Sequence, residues 1–344
     1  MNADSSAASV SIIDAFGVIS DPRMPFLNRA LDPQEAQVRI GACLAKSSDA
    51  KVGLQAIRVR RYKPERRCLI EYELWMEQGG VASSVLVLGK ARAKSTDLKT
   101  FRLHQALWRN GFDSTSADGI IVAEPLGVVP EFHMWLQRKV PGLPASDLLA
   151  DRGGVLLARR ISDAARKLHQ SRVPATRRHT IDDELEILSD RLGGVNSMKP
   201  EWQGRLERLL ANCIRLARRL PEPKFCGIHR DFYPAQVMVD GSKICMTDFD
   251  LYCEGDPALD IGNFVGHMTE QSLRCYGDAN AMRDQEIAME ERYVELTGEA
   301  GREAIRSYAT LTLARHIFIS TLFAERRPFT ARLLDLCEER LASA

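Results

Sequence analysis

The sequence predicts an α+β chain in two parts, a small N-terminal antiparallel-sheet lobe followed by a larger, mainly helical C-terminal lobe. Three observations carry that expectation: apolar and charged side chains alternate early, apolar residues recur at helical spacing later, and Pro141-Gly142 punctuates the change. The 344 residues suffice for about two domains, and 45% hydrophobic with 27% charged residues is ordinary globular usage. The boundaries follow as a partly flexible N-terminal helical extension over 1–50, a sheet lobe over 51–140 and a helical lobe over 141–344.

Taken in order, Ile57–Tyr62 and Cys68–Met76 alternate with the period of half-buried strands, and Lys63-Pro64-Glu65-Arg66 turns between them. Val85–Leu88 continues into Gly89-Lys90-Ala91 as a third strand. Thr96–Trp108 reads as a helix with Leu98, Phe101, Ala106 and Leu107 on its apolar face. Two further strand segments, Ile120–Val122 and Met134–Gln137, flank a turn-rich Pro125–Pro130. Beyond Pro141, the residues Leu157, Ile161, Ala164, Ala165 and Leu168 share one helical face, and Thr180 with Asp183 resembles a capping box. Val237–Val239, a tight turn at Asp240-Gly241 and Ile244–Met246 read as a hairpin.

Composition excludes several classes of function. With 47 Lys and Arg against 46 Asp and Glu, the net charge of +1 lacks the basic excess that neutralises nucleic-acid phosphates. Met1–Phe16 has no basic start with a long apolar core, and Leu311–Ala324 is broken by Arg315 and His316, so neither a secretion signal nor a membrane span is expected. Eight cysteines are scattered without a C-x-x-C pair, which reads as reduced thiols of a cytoplasmic protein.

The chemistry concentrates around the hairpin. Before it stands His229-Arg230-Asp231-Phe232-Tyr233-Pro234-Ala235-Gln236, and after it Thr247-Asp248-Phe249-Asp250. The hairpin presents a carboxylate from each end, Asp248 lying 17 residues after Asp231. Two carboxylates so placed can divide phosphoryl transfer, one contacting the attacking hydroxyl and the other holding magnesium against the phosphates.

In this arrangement the sequence resembles the protein-kinase-like phosphotransferases, and within them the aminoglycoside phosphotransferase and choline kinase branch, which phosphorylates small molecules. Glu254-Gly255-Asp256-Pro257-Ala258-Leu259-Asp260-Ile261 is similar to the G-D-P-x-x-D-L segment of that branch, and the A-P-E of protein kinases is missing. The resemblance spans roughly residues 50 to 325, with its motifs between His229 and Asp260. It implies a two-lobed protein-kinase-like fold using ATP and magnesium. Asp231 is then the catalytic base or hydroxyl-orienting group, while His229 and Asp260 brace its loop. Asp248 is the principal magnesium ligand and Gln236 the second. Lys90 meets the α- and β-phosphates, and Gln137, Arg138, Lys139 and Val140 offer backbone groups to adenine.

Departures from the pattern leave alternatives open. Gln236 stands where the branch carries Asn, one methylene longer. No glycine-rich loop covers the first turn, where Arg66 or Arg67 reads either as a charged fork on phosphate or as solvated charge. The Thr96–Trp108 helix has no glutamate for Lys90, leaving Glu71, Glu73 or Asp97 as substitutes, or no such pair. The acceptor is expected to be a small hydroxyl compound, an amino sugar, amino alcohol or related metabolite, bound by C-terminal helices. Nine acidic residues against four arginines between Glu270 and Glu303 either attract a cationic amine or form a solvated face. A catalytically silent nucleotide-binding scaffold and a protein kinase remain as competing readings.

Overall fold

The computed structural model describes residues 10–45, 51–78 and 80–342, so the expected N-terminal extension falls partly outside the described residues, at 1–9 and 46–50. The chain divides into two compact units, one running to Ser116 and including Ile121–Val140, the other comprising Ala117–Ile120 and Pro141 onward.

The first unit contains β1 (Ser11–Ile13), α1 (Leu27–Ala30), α2 (Pro33–Leu44), β2 (Lys51–Lys63), β3 (Arg67–Gln78), β4 (Val81–Arg92) and α3 (Leu98–Leu107). After the short β5 (Ile120–Val122) come β6 (Pro125–Val129) and β7 (Met134–Arg138). Its sheet runs β1-β2-β3-β4-β7-β6, with β1 parallel to β2 and the other neighbours antiparallel. Strand alternation buries Ile57, Ile70, Tyr72, Val85 and Val87 on one face against Met24, Leu27 and Ile40. Residues 10–45 therefore supply an edge strand and core-filling helices to this unit. Asp32 starts α2 by accepting from the Glu35 N–H, with Pro33 at the first helical position.

Two local expectations need correction. Pro125–Val129 is a strand, not a turn-rich segment; Pro125 is tolerated because β6 is the sheet edge and the proline is its first residue. The buried face of α3 is Thr100, Phe101, His104 and Leu107, with Leu98 exposed, because His104 and Phe101 pack on the Trp135 ring at centroid distances of 4.9 and 6.1 Å.

The second unit contains β8 (Leu143–Pro144), α4 (Gly154–Gln170), α5 (Ile181–Met198), α6 (Gln203–Ala217) and β9 (Cys226–Ile228). It continues with β10 (Val237–Asp240), β11 (Lys243–Met246), β12 (Cys253–Gly255), α7 (Pro257–Tyr276), α8 (Arg283–Thr297), α9 (Arg302–Leu322) and α10 (Thr330–Ala342). Thr180 and Asp183 form the capping box of α5, and α4 buries Ile161, Ala164, Ala165 and Leu168. In the β10–β11 hairpin Asp240 pairs with Lys243, so the turn is Gly241-Ser242, one position later than expected, with Gly241 at φ 56°. The basic side chains of α4 knit the unit together: Arg159 pairs with Glu295, Lys167 with Asp118, and Arg160 donates to the carbonyls of Ser242 and Asp118. Described helices include none long and apolar enough to cross a membrane.

Candidate active site

The loop between β9 and β10 carries His229, Asp231 and Gln236, and the residues after β11 carry Asp248. One buried carboxylate fixes the loop. Asp260, in the first turn of α7, accepts from the His229 N–H at 2.8 Å and the Arg230 N–H at 2.7 Å. Its Oδ2 also lies 2.9 Å from His169 Nε2, and His169 Nδ1 lies 2.7 Å from the Tyr293 hydroxyl. The His229 ring reaches the Thr247 carbonyl at 2.8 Å, tying the Asp231 loop to the residue before Asp248. Arg230 and Asp248 sit at φ 69° and 61°, left-handed conformations that non-glycine residues adopt at a cost of about 1–2 kcal/mol. The Asp260 hydrogen bond to the Arg230 N–H helps hold the first of them.

Asp231 is pushed above the ordinary carboxylate range by burial; Asp248 adds to the rise, while His229, Arg315 and Arg230 oppose it. Gln236 is held by both ends of its amide. Its oxygen accepts from Thr247 Oγ1 at 3.0 Å, and its nitrogen is 3.1 Å from the Tyr233 hydroxyl and 3.5 Å from Asp248 Oδ2. As placed, the amide nitrogen and not the oxygen faces the Asp248 carboxylate. The second unit therefore brings together Asp231, His229, Gln236, Asp248 and Asp260.

In the first unit, Lys90 stands on β4 opposite Leu69 of β3 and Trp135 of β7, with its ammonium 5.1 Å from the Trp135 ring centre. Among the described residues it has no carboxylate partner. The three acids considered for it are engaged elsewhere: Glu71 with Lys139, Arg58 and Arg60, Glu73 with Arg58, and Asp97 with Arg92 and the α3 N-terminus. Two residues along from Lys90 on the same sheet face, Leu88 stands opposite Gln137, whose Oε1 is buried without a hydrogen-bond partner among the described residues. In the connector, the Arg138 N–H donates to the Glu124 carbonyl and the Lys139 N–H to the Leu86 carbonyl, so these two groups are already used. Arg66 is exposed at the tip of the β2–β3 turn, away from Lys90 along the hairpin. That turn is fastened by Asp21, which accepts from the Tyr62 hydroxyl at 2.7 Å and the Glu65 N–H at 2.8 Å.

A family model described as the phosphotransferase enzyme family (APH) matches residues 100–306, more than half the chain. The chain belongs to this family. Comparison with curated proteins returned no match. Among solved structures, a thermostable mutant of aminoglycoside phosphotransferase APH(4)-Ia is similar at 16% identity and a TM-score of 0.55, covering 85% of this chain and 95% of its own. A choline/ethanolamine kinase family protein from Mesorhizobium loti aligns at 14% identity and TM-score 0.53 over 92% of this chain and 93% of its own. A glucosamine kinase aligns at 17% identity and TM-score 0.53, covering 90% and 84% respectively. These likenesses establish the protein-kinase-like α+β fold.

In this phosphotransferase, Asp231 lines an open cavity of about 580 Å³ in the helical unit. Its walls include Tyr233, stacked on His267 at 4.6 Å, and His316, whose ring meets His267 edge-on at 4.4 Å. Burial, with Arg315, Arg326 and Arg274 adding to it, holds His316 down to about 3, and His267 is likewise held well below the usual histidine range. Arg315 bridges Glu184 at 3.3 Å and Asn263 Oδ1 at 2.7 Å, and Asn263 Nδ2 donates to the Phe232 carbonyl at 2.9 Å. This support of the Asp231 loop was missed by sequence reasoning. Its available signal was the pair Arg315-His316 interrupting an apolar stretch, a pattern that marks polar groups kept inside a helical unit.

Proposed function

We propose that this phosphotransferase moves the γ-phosphoryl group of ATP to a hydroxyl of a small molecule held in the Asp231 cavity. The observation that carries the reading is Asp231 itself, half-buried near Asp248 on a loop anchored by Asp260 and open to a cavity large enough for a small ligand. The acceptor oxygen bonds to the γ-phosphorus, the bond from that phosphorus to the β–γ bridging oxygen breaks, and ADP leaves. Asp231 orients the hydroxyl and takes its proton; His229 and Asp260 hold the loop in place. Lys90 steadies the α- and β-phosphates. Gln137 Oε1, on the Lys90 face of the sheet and without a partner among the described residues, suits the exocyclic amine of adenine once its side chain turns out to meet it, and the Val140 backbone remains for the ring edge. The Arg138 and Lys139 side chains act within the sheet unit, on Glu124 and Glu71.

The donors present fit magnesium. A carboxylate from Asp248, a reachable amide oxygen from Gln236 once its amide is turned over, and substrate phosphates form the hard-oxygen set that ion takes. Bound there, magnesium supplies charge neutralisation for the phosphoryl oxygens. Solved relatives bearing ADP with hygromycin B, and AMP-PNP with Ca2+ and amicoumacin, support nucleotide and divalent-metal use by this fold.

Thermal unfolding with and without ATP and magnesium tests the reading without a known acceptor. Nucleotide at about 100 times its dissociation constant stabilises by about 2.7 kcal/mol. A magnesium-dependent upward shift in Tm is expected for the wild type and its loss in Asp248→Ala. No shift at millimolar nucleotide would sink the proposal in favour of a silent relative.

A further inference from the structure

The walls of the Asp231 cavity carry chemistry that the choice of a hydroxyl group does not explain. Besides Asp231, its carboxylates are Asp147, exposed at the rim and accepting from Ser146 Oγ at 3.0 Å, and Glu270, buried. Glu270 is already spent: Arg274 grips it through Nε at 2.9 Å and a terminal nitrogen at 3.3 Å. Three guanidinium groups line the same space, those of Arg274, Arg315 and Arg326. Arg315 is committed to Glu184 and Asn263, whereas among the described residues Arg326 makes only one long ion pair and no side-chain hydrogen bond. Its nearest carboxylate oxygen, on Glu270, is 3.9 Å away, beyond hydrogen-bond reach, and its guanidinium lies 5.1 Å from the exposed Phe323 ring. The two histidines facing the cavity add no charge to be balanced, since both are held neutral.

A polycationic amino sugar would meet three arginines here, with Glu270 paired to Arg274, Asp231 needed for the transfer and only the exposed rim carboxylate of Asp147 left to receive an amine. The acidic surplus of the sequence between Glu270 and Glu303 does not help, because of those nine acids only Glu270 lines this cavity. Glu290 pairs with Arg302 and Arg306, Glu295 with Arg159 and Arg292, and Glu299 with Arg302. An oxyanion on the acceptor, in contrast, finds in Arg326 a guanidinium whose N–H donors meet no carboxylate at hydrogen-bond distance among the described residues, with the fork geometry that carboxylates and phosphates take.

We infer that the acceptor is a small anionic hydroxy compound, its hydroxyl meeting Asp231 and its carboxylate or phosphate oxygens meeting Arg326 beside Arg274. This rests on the phosphotransferase reading above and specifies the substrate class of that site. Apolar atoms of Phe323 and Ile319 and the Tyr233–His267 stack wall the carbon skeleton between the two polar ends.

Two matched series test it, with transfer of labelled γ-phosphate from magnesium-ATP as the readout: glucuronate, glucose 6-phosphate, glucose and glucosamine, then glycerate, glycerol 3-phosphate, glycerol and 3-amino-1,2-propanediol. An anionic member should exceed its neutral and amine counterparts about tenfold or more in kcat/KM, the carboxylate and phosphate arms separating the two oxyanions. Arg326→Gln should erase most of that margin by raising KM, leaving the ATP-induced Tm shift intact, while Arg332→Gln, paired with Glu339 on α10, should change neither. Preference for a neutral or amine member, no transfer to any anionic member, or an Arg326→Gln loss equal across all members overturns the inference. Absence of the wild-type ATP shift overturns the phosphotransferase reading instead.

Discussion

Asp231 has to be both accessible to a hydroxyl and poor in water, and its surroundings supply this combination. Burial raises its proton affinity, Arg315 and Arg230 keep that rise in check, and the loop that holds it is pinned by backbone donors, which cannot rotate away. Asp231→Asn preserves the shape and removes the acceptor for the hydroxyl proton, so turnover should fall about 10²–10⁴-fold, while the Tm shift with magnesium-ATP is retained. Retained turnover in a steady-state assay, or loss of the nucleotide shift, contradicts the role given to it. Gln137 makes a second prediction at this scale. Its buried Oε1 has no partner among the described residues, a cost of roughly 1–3 kcal/mol that an adenine amine relieves once the side chain turns out to meet it. Gln137→Leu should therefore raise KM for ATP several-fold with little change in kcat, and should leave the protein folded with an unchanged or higher Tm. An unaltered KM for ATP removes Gln137 from base recognition.

Helix α7 shows how one element assembles the site. Asp260, Asn263, His267 and Glu270 recur every three or four residues, so one helix face holds the loop anchor, the partner of Arg315, the ring stacked under Tyr233 and the partner of Arg274. The register of that face depends on close approach to α9. A Cβ on Gly262 would lie 2.5 Å from Tyr308 Cβ and 2.6 Å from the Ile305 carbonyl oxygen, and one on Gly266 would lie 2.8 Å from Thr312 Cβ. Gly262→Ala should then destabilise by about 1–3 kcal/mol or more, measured by urea unfolding, and lower activity further by displacing Asp260 and Asn263 together. A variant as stable as wild type means that α9 yields at no cost. The same helix explains what could be read in advance. Glu254 to Asp260 and the hairpin before it announce themselves because their partners are near in sequence and their turns demand particular residues. Asn263, His267 and Arg315 do not, since their roles exist only once α7 and α9 pack, some 50 residues apart. On the sheet side, the period-2 alternation located β2, β3 and β4, but Pro125 masked β6 and nothing local marked Asp21 as the fastener of the β2–β3 turn. The orientation of the Gln236 amide is likewise a product of Thr247 and Tyr233, not of its place in the motif.

At the scale of the whole molecule the near-zero net charge of +1 conceals a lattice of buried and half-buried ion pairs, and stability should respond to pH wherever a carboxylate is buried without one. Glu286 on α8 is one such case among the described residues. Burial pushes its carboxyl up to about 7; the hydrogen bond from Thr269 Oγ1 at 2.7 Å and the positive fields of Arg340 and Arg283 oppose the rise, and Glu290 adds to it. In the unfolded chain the same group titrates near the ordinary glutamate value of about 4.3. Between these values the folded protein holds a proton that the unfolded chain has released, so the native state binds more protons and stability falls as pH rises. The fall begins near the unfolded value and is complete above the folded one. Glu286→Gln keeps the acceptor for Thr269 and cannot ionise, so it should match wild type at about pH 4 and exceed it at about pH 8 by ~1–3 kcal/mol in urea-unfolding free energy. The pH dependence of the difference is what identifies the cause, because a packing defect or an improved contact would shift the two curves by the same amount at every pH. A constant difference, or a variant weaker than wild type at the alkaline end, would show that Glu286 is charged and compensated in the native protein, most directly by Arg340.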